Sequence, residues 1–280
     1  MSFPVRSRVI RPNQLQSGTW IQIAIAHFGF CMMEPELRRP VFQLPFWMIY
    51  THLDAGGEIG HESGRSTPLH PGQAVVFPAW QQWQVITRRE LRHVYLVFDL
   101  PQLPISLVRR LFFGAQQLSE TLACDIGRQM SELAYLLAEA TPLPLAGSCR
   151  IQALAYRALA ELLAPVPQLH ALPEPVRAAL DHADRHLAGD CRIPILARAA
   201  GTGVKRLNAA FTATLGVSAA SFVRERRISR AAELLLTSEW DLERIASESG
   251  FPNRHYLSRV FKRRMGLPPA AYRARGRPPQ

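Results

Sequence analysis

The chain has 280 residues, 48% of them hydrophobic and 20% charged, with a mean hydropathy of −0.04. This length and balance suit two folded domains of roughly 100–200 residues each and exclude a disordered or fibrous chain. Lysine and arginine outnumber acidic residues 33 to 22, a net +11, so a polyanion is the first partner class to consider.

No run approaches the roughly 18–20 apolar residues of a membrane-spanning helix, so no membrane partner is expected. Residues 1–10 (MSFPVRSRVI) hold two arginines and no continuous apolar stretch, which does not read as a signal peptide. Cys31, Cys124, Cys149 and Cys191 stand far apart without a CxxC pair. Neither a zinc site nor a disulfide framework is expected, and the implied location is a reducing cytoplasm. None of Cys31, Cys124 and Cys149 has an activating base beside it in sequence, so thiol chemistry has little support there.

Residues 19–30 and 46–53 are rich in β-branched and aromatic side chains, the composition of buried strands. Glycines and prolines between 56 and 72 read as turns. Further strands are predicted over 73–78, 82–87 and 92–100, so the expectation for about 19–100 is a small β-barrel or sandwich. After Pro104 the pattern becomes helical. Leu118, Leu122, Ile126, Met130, Leu133 and Leu137 form one apolar stripe, and a second helix is predicted over about 149–163. The helices thus occupy about 105–163.

Two constellations in this half could carry chemistry. His52, His61, His70 and His93 with Glu58 and Glu62 offer ligand types, but no HxH or HExxH pair brings them together, so no metal is expected. Trp20, Trp47, Tyr50, Trp80 and Trp83 either line a small-molecule pocket or simply pack a core. Their large apolar faces and polar tips suit both.

The charge is concentrated at the other end. Residues 171–280 hold 19 basic and 10 acidic residues, net +9, against net +2 for residues 1–170. Pro165, Pro167, Pro173 and Pro175 mark the same break, and residues 166–175 read as a stiff linker. The domains are therefore 1–165 and 176–280. After an amphipathic helix over 176–188, a short helix from Pro194 stops at Gly201 and a longer one covers 204–215. Short helix, glycine turn, longer helix is the helix-turn-helix pattern, whose second helix enters the major groove. It recurs over 241–265. Leu196-Ala197, Gly201, Leu207 and Phe211 correspond to Ile245-Ala246, Gly250, Leu257 and Phe261, offset by 49 residues before the turn and 50 after it. Asn253 reads as the cap of the second recognition helix. Between the units, residues 218–237 predict a helix of about 30 Å. One duplex turn is about 34 Å, so such a spacer can seat two recognition helices in successive grooves.

Gly250-Phe251, the run Tyr256 to Lys262, Gly266 and Pro268 to Arg273 resemble the signature of AraC/XylS-type transcription regulators. Phe222, Arg227, Ala231-Ala232 and Leu234-Leu235 fit the same family's linker helix, and the resemblance covers about 174–275. It implies an α+β chain: an N-terminal cupin-like barrel or sandwich with following helices, then an all-α domain with two helix-turn-helix units. The usual cupin metal histidines are not evident. The resemblance further implies an effector-sensing, dimerising N-terminal domain, a homodimer, double-stranded DNA, an unknown small-molecule effector and RNA polymerase as partners. No cofactor and no catalytic residue are implied.

By position in the family's motif, Lys205, Asn208 and Ala209 of the first unit and Arg254, His255 and Arg259 of the second would face bases. Arg206, Thr212, Lys262, Arg263 and Arg264 would face phosphates. The family commonly has arginine where this chain has Ala209. The function expected is a ligand-responsive, sequence-specific transcription regulator rather than an enzyme. The alternatives are a cupin-like metal-dependent enzyme carrying a DNA-binding tail, and a constitutive DNA binder whose N-terminal half only dimerises.

Overall fold

A computed structural model describes residues 23–33, 35, 44–60, 66–81, 83–101, 103–139, 145–166 and 172–276; over 137–139 and 275–276 it describes the backbone alone. Among the described residues eight strands precede most of the helices: β1 (Ala24–Met33), β2 (Trp47–His52), β3 (Gly57–Gly60), β4 (Ser66–Pro68), β5 (Val75–Phe77), β6 (Gln84–Thr87), β7 (Leu91–Asp99) and β8 (Gln116–Gln117). A five-stranded antiparallel sheet runs β1-β7-β2-β5-β8, and a three-stranded one runs β4-β3-β6.

Side chains alternate across a strand, so each face of the large sheet can be read from residue parity. Trp47, Ile49, Val76, Val94, Leu96 and Phe98 face one layer. That layer is built by α1 (Ile105–Leu111), α2 (Glu120–Glu139) and α3 (Leu145–Leu163), which bury Val108, Ile126, Met130, Leu133, Leu154 and Ala155. Met48, Tyr50, Val75, Phe77, Leu91 and Val97 face the other way, against Ile59 and Val85 of the small sheet. The result is two packed sheets, not a closed barrel. β3 and β4 fall where glycines and prolines read as turns. Gly57, Gly60 and Pro68 end or edge these three- and four-residue strands, so cross-strand pairing outweighs local propensity here.

The aromatic set does not converge. Trp47 and Tyr50 lie an odd number of positions apart on one strand and therefore point to opposite faces. Trp47 packs edge-on against Phe112 on the helical side, and Trp83 stacks on Phe77 on the other. Trp80 joins the helical-side core, its backbone at φ 65° held by a hydrogen bond from its N–H to the Leu44 carbonyl. Trp20 lies outside the described residues, as do His61 and Glu62. Among the described residues no three His, Cys, Asp or Glu side chains gather as a metal would require.

Strand register does supply one pairing that sequence spacing conceals. Cys31, His93 and His52 sit opposite one another on β1, β7 and β2. Cys31 Sγ lies 3.1 Å from His93 Nε2, so this cysteine has a base beside it after all.

The C-terminal part is entirely helical: α4 (Glu174–Arg185), α5 (Ile193–Ala199), α6 (Val204–Leu215), α7 (Ala219–Thr237), α8 (Leu242–Glu248), α9 (Arg254–Met265) and α10 (Pro269–Gly276). α3 ends at Leu163 and α4 begins at Glu174, around the proline-rich break; residues 167–171 lie outside the described set. No helix among the described residues is long and apolar enough to cross a membrane.

Candidate nucleic-acid interface

The two helix-turn-helix units are α5–α6 and α8–α9, and their turns are closed by the same hydrogen bonds. Gly201 N–H donates to Arg198 O (3.0 Å) and Thr202 N–H to Ala197 O (2.9 Å). Forty-nine residues later, Gly250 N–H donates to Ser247 O (2.9 Å) and Phe251 N–H to Ala246 O (2.8 Å). Both glycines occupy the left-handed region, at φ 59° and 74°, which satisfies the last carbonyls of the short helix. Pro252 is the additional residue in the second turn.

The second helices of the two units then open differently. Asn253 caps α9, its side-chain oxygen accepting from Tyr256 N–H at 2.9 Å. α6 begins after Gly203 with no side-chain cap. Both helices end on left-handed glycines, Gly216 and Gly266. The correspondence continues beyond them: Phe211 meets Phe222 edge-on at 5.7 Å, and Phe261 meets Tyr272 edge-on at 5.2 Å. The duplicated unit is therefore larger than helix, turn and helix, and includes the first turn of the helix that follows.

Packing decides which face each of these long helices presents. Leu207, Phe211 and Leu215 bury the inner side of α6; Leu257, Val260, Phe261 and Met265 bury that of α9. A fully buried leucine or phenylalanine is worth about 1.5–3 kcal/mol, so several per helix fix its rotation firmly. That leaves Lys205, Arg206, Ala209 and Thr212 exposed on α6, and Arg254, His255, Arg259, Lys262 and Arg263 exposed on α9. The Arg259 guanidinium lies over the Tyr256 ring, 5.1 Å from its centre, an exposed aromatic beside the basic face that sequence reasoning did not single out. Arg254 approaches Glu243 of α8 at 3.8 Å, with both side chains more than half exposed, so solvent screening leaves this pair weak. Lys262 and Arg263 sit in the last turn of α9, where positive charge also favours the helix dipole.

Two expected contacts are engaged elsewhere. The Asn208 side-chain oxygen accepts from Ala219 N–H at 3.1 Å, tying α6 to the start of α7. Arg264 is half-buried and donates to Glu225 Oε1 on α7 at 2.9 Å. Glu225 Oε2 in turn accepts from the Ser106 N–H (3.2 Å) and hydroxyl (3.3 Å) at the start of α1. One carboxylate thus joins α9 to the N-terminal part. One residue along, Arg226 reaches Asp99 at the end of β7 (3.0 Å) and Asp184 of α4 (3.4 Å).

Residues 196–275 match the family model of a helix-turn-helix domain. The arabinose operon regulatory protein of Escherichia coli is 34% identical over 100 residues, covering 35% of this chain and 34% of its own length. The HTH-type transcriptional regulator ExsA of Pseudomonas aeruginosa is 31% identical over 90 residues, 32% of each chain. Residues 196–275 form an AraC/XylS-type helix-turn-helix domain. The chain spans about a third of the length of these two relatives, so the identity stops at that domain. A crystal structure of ToxT from Vibrio cholerae covers 89% of this chain and 97% of its own, with a TM-score of 0.54 at 13% identity. That likeness concerns the fold: an N-terminal β-rich part followed by helix-turn-helix units. AraC/XylS-type domains thus account for the basic C-terminal third, and the aromatic and histidine sets lie outside it.

Proposed function

We propose that the chain is a sequence-specific transcription regulator that reads duplex DNA through α9 and, more weakly, α6. The observation that carries this reading is the duplicated unit, in which packing leaves an exposed basic face on both long helices. Base contacts fall to Arg254, His255 and Arg259 on α9, with Lys205 and Ala209 on α6. Arg259 can fork onto guanine O6 and N7, and Ala209 can touch a thymine methyl. Arg206, Thr212, Lys262 and Arg263 fall to phosphates, which set position without reading sequence. Asn208 and Arg264 hold the domain together instead.

Residues 1–165 are the sensing and dimerising part in this reading. A small-molecule effector would act by binding one arrangement of the two parts better than another, which shifts the population of DNA-competent dimers. One ToxT structure of this fold is bound to (E)-4-(8-methylnaphthalen-1-yl)but-3-enoic acid, which supports a small-molecule effector for a chain of this fold. Homodimerisation, RNA polymerase as partner and a cytoplasmic location complete the proposal.

Selection of bound sequences from random duplexes, followed by binding of two variants across salt concentrations, tests it. Arg259→Ala should cost about 1–3 kcal/mol on the selected site and relax preference at one base pair. Lys262→Ala should weaken selected and random duplexes alike and reduce the salt slope by about one. Equal losses on selected and random DNA for Arg259→Ala would remove its base-reading role. Failure to enrich any sequence would remove the regulator reading itself.

A further inference from the structure

On the face of the large sheet turned away from the helices, three reactive side chains adjoin one another on β1 and β7. Cys31 is exposed, and its Sγ lies 3.1 Å from His93 Nε2. His93 is 7% exposed, on a strand paired on both sides, and its ring is bracketed by two tyrosines. Tyr50 stacks on it at 5.2 Å with 27° between planes, and Tyr95 lies 5.7 Å away at 35°. The imidazole plane is therefore fixed, with one ring nitrogen directed at the thiol. Tyr95 follows on the same face of β7, opposite Gly29 of β1. A Cβ at Gly29 would come within 2.6 Å of the Tyr95 hydroxyl oxygen, so glycine is what lets the phenol lie across β1, two residues from Cys31. Burial, and after it the charge of Cys31, pushes the Tyr95 phenol up, so its hydroxyl remains a donor at neutral pH.

A nucleophile, an adjacent base and a nearby neutral hydroxyl donor are the three parts that conjugate addition needs. We propose that Cys31, His93 and Tyr95 form a covalent capture site for α,β-unsaturated aldehydes and ketones. The thiol passes its proton to His93 Nε2 while Sγ bonds to the β-carbon of the enone. The carbon–carbon π pair shifts toward the carbonyl oxygen, which accepts a hydrogen bond from Tyr95. The imidazolium then returns its proton to the α-carbon. The product is a thioether with His93 neutral again, and no oxidant, reductant or leaving group is required. The hydroxyl donor is what favours a carbonyl-bearing electrophile over a peroxide. This site lies on strands far from α6 and α9 in sequence and does not depend on how the chain reads DNA.

The chain carries its own comparators, since Cys124 and Cys149 are also exposed, on α2 and α3. The 280-residue chain is treated with 2-cyclohexen-1-one at pH 7, and adducts are mapped by peptide mass spectrometry over time. Cys31 should react at least about tenfold faster than Cys124 and Cys149. This comparison needs no variant and so survives any folding defect. Reaction at Cys31 no faster than at the other two would overturn the proposal. His93→Gln should bring Cys31 to the comparators' rate; an unchanged rate in a folded variant removes His93 as the base. Tyr95→Phe should slow cyclohexenone addition but leave reaction with methyl methanethiosulfonate unaltered, because no carbonyl oxygen gains charge there. Equal slowing of both reagents would mean that Tyr95 merely shapes the strand, and the assignment to unsaturated carbonyls would fall.

Discussion

Gly250→Ala should destabilise the protein by about 2–5 kcal/mol, whereas Gly201→Ala, at the matching turn, should cost only about 1–2 kcal/mol. Both glycines have positive φ, so an alanine pays the left-handed backbone cost at either site. The surroundings then separate them. A Cβ at Gly201 meets nothing within 4 Å. At Gly250 it would collide with the Leu187 carbonyl oxygen and sit 2.6 Å from Arg227 Nε. Neither neighbour can yield cheaply, because Arg227 is itself bound to Leu187 O (3.0 Å) and Gly189 O (2.8 Å), clamping the end of α4 to α7. Whole domains are stable by only about 5–15 kcal/mol, so the upper part of this range would leave α9 poorly held. Urea denaturation of both variants measures the difference as a midpoint shift at unchanged slope. Equal shifts would show that the Leu187–Arg227 clamp moves aside at little cost.

That asymmetry is invisible in the sequence, where Gly201 and Gly250 look like repeats of one signal. Their existence was legible: a glycine offset of 49, leucine and phenylalanine offsets of 50 and Asn253 as a cap locate both units to within a residue or two. Those features depend on neighbours a few positions away, where helix periodicity and capping rules apply. The distant partners of two expected contacts are hidden for the opposite reason. Asn208 and Arg264 look like exposed helix polars until α7 supplies Ala219 N–H and Glu225, partners 11 and 39 residues distant. β3 and β4 are not legible in the sequence because short paired strands need no β-forming composition of their own. The division of the aromatic set follows from strand parity alone, since positions 47 and 50 of a single strand must face opposite sides. The Cys31–His93 pair does not, because only the register of β1 on β7 reveals it across 62 positions.

The coupling between the two halves turns on another such distant pairing. Arg226 sits in the middle of α7, 12% exposed, with Asp99 and Asp184 each 23% exposed against it. Asp99→Asn keeps size and an acceptor but leaves the arginine without its hydrogen-bonded counter-ion at 3.0 Å. Removing one partner of a fully buried pair costs about 3–5 kcal/mol; the residual exposure here argues for about 2–3 kcal/mol. Arg226→Met should cost at least as much, because it removes the cation that Asp99 and Asp184 share and leaves both carboxylates facing an apolar side chain. If either variant proves as stable as the parent chain, the pair does not hold the halves together. Asp184 behaves differently. Burial pushes its carboxyl above the ordinary 3.8, with Arg226 pulling the other way. A carboxyl with a raised folded-state value binds its proton more tightly when folded, so its stabilising contribution is complete below 3.8 and is lost as pH rises through the raised value. Asp184→Asn abolishes that loss. Its stability relative to the parent chain should therefore improve as pH is raised above about 4, in denaturation curves taken between pH 4 and 7. A parent and variant that stay parallel across that range would mean that Arg226 holds Asp184 ionised throughout, and that the same arginine ties the linker helix to α4 as well as to β7 of the N-terminal half.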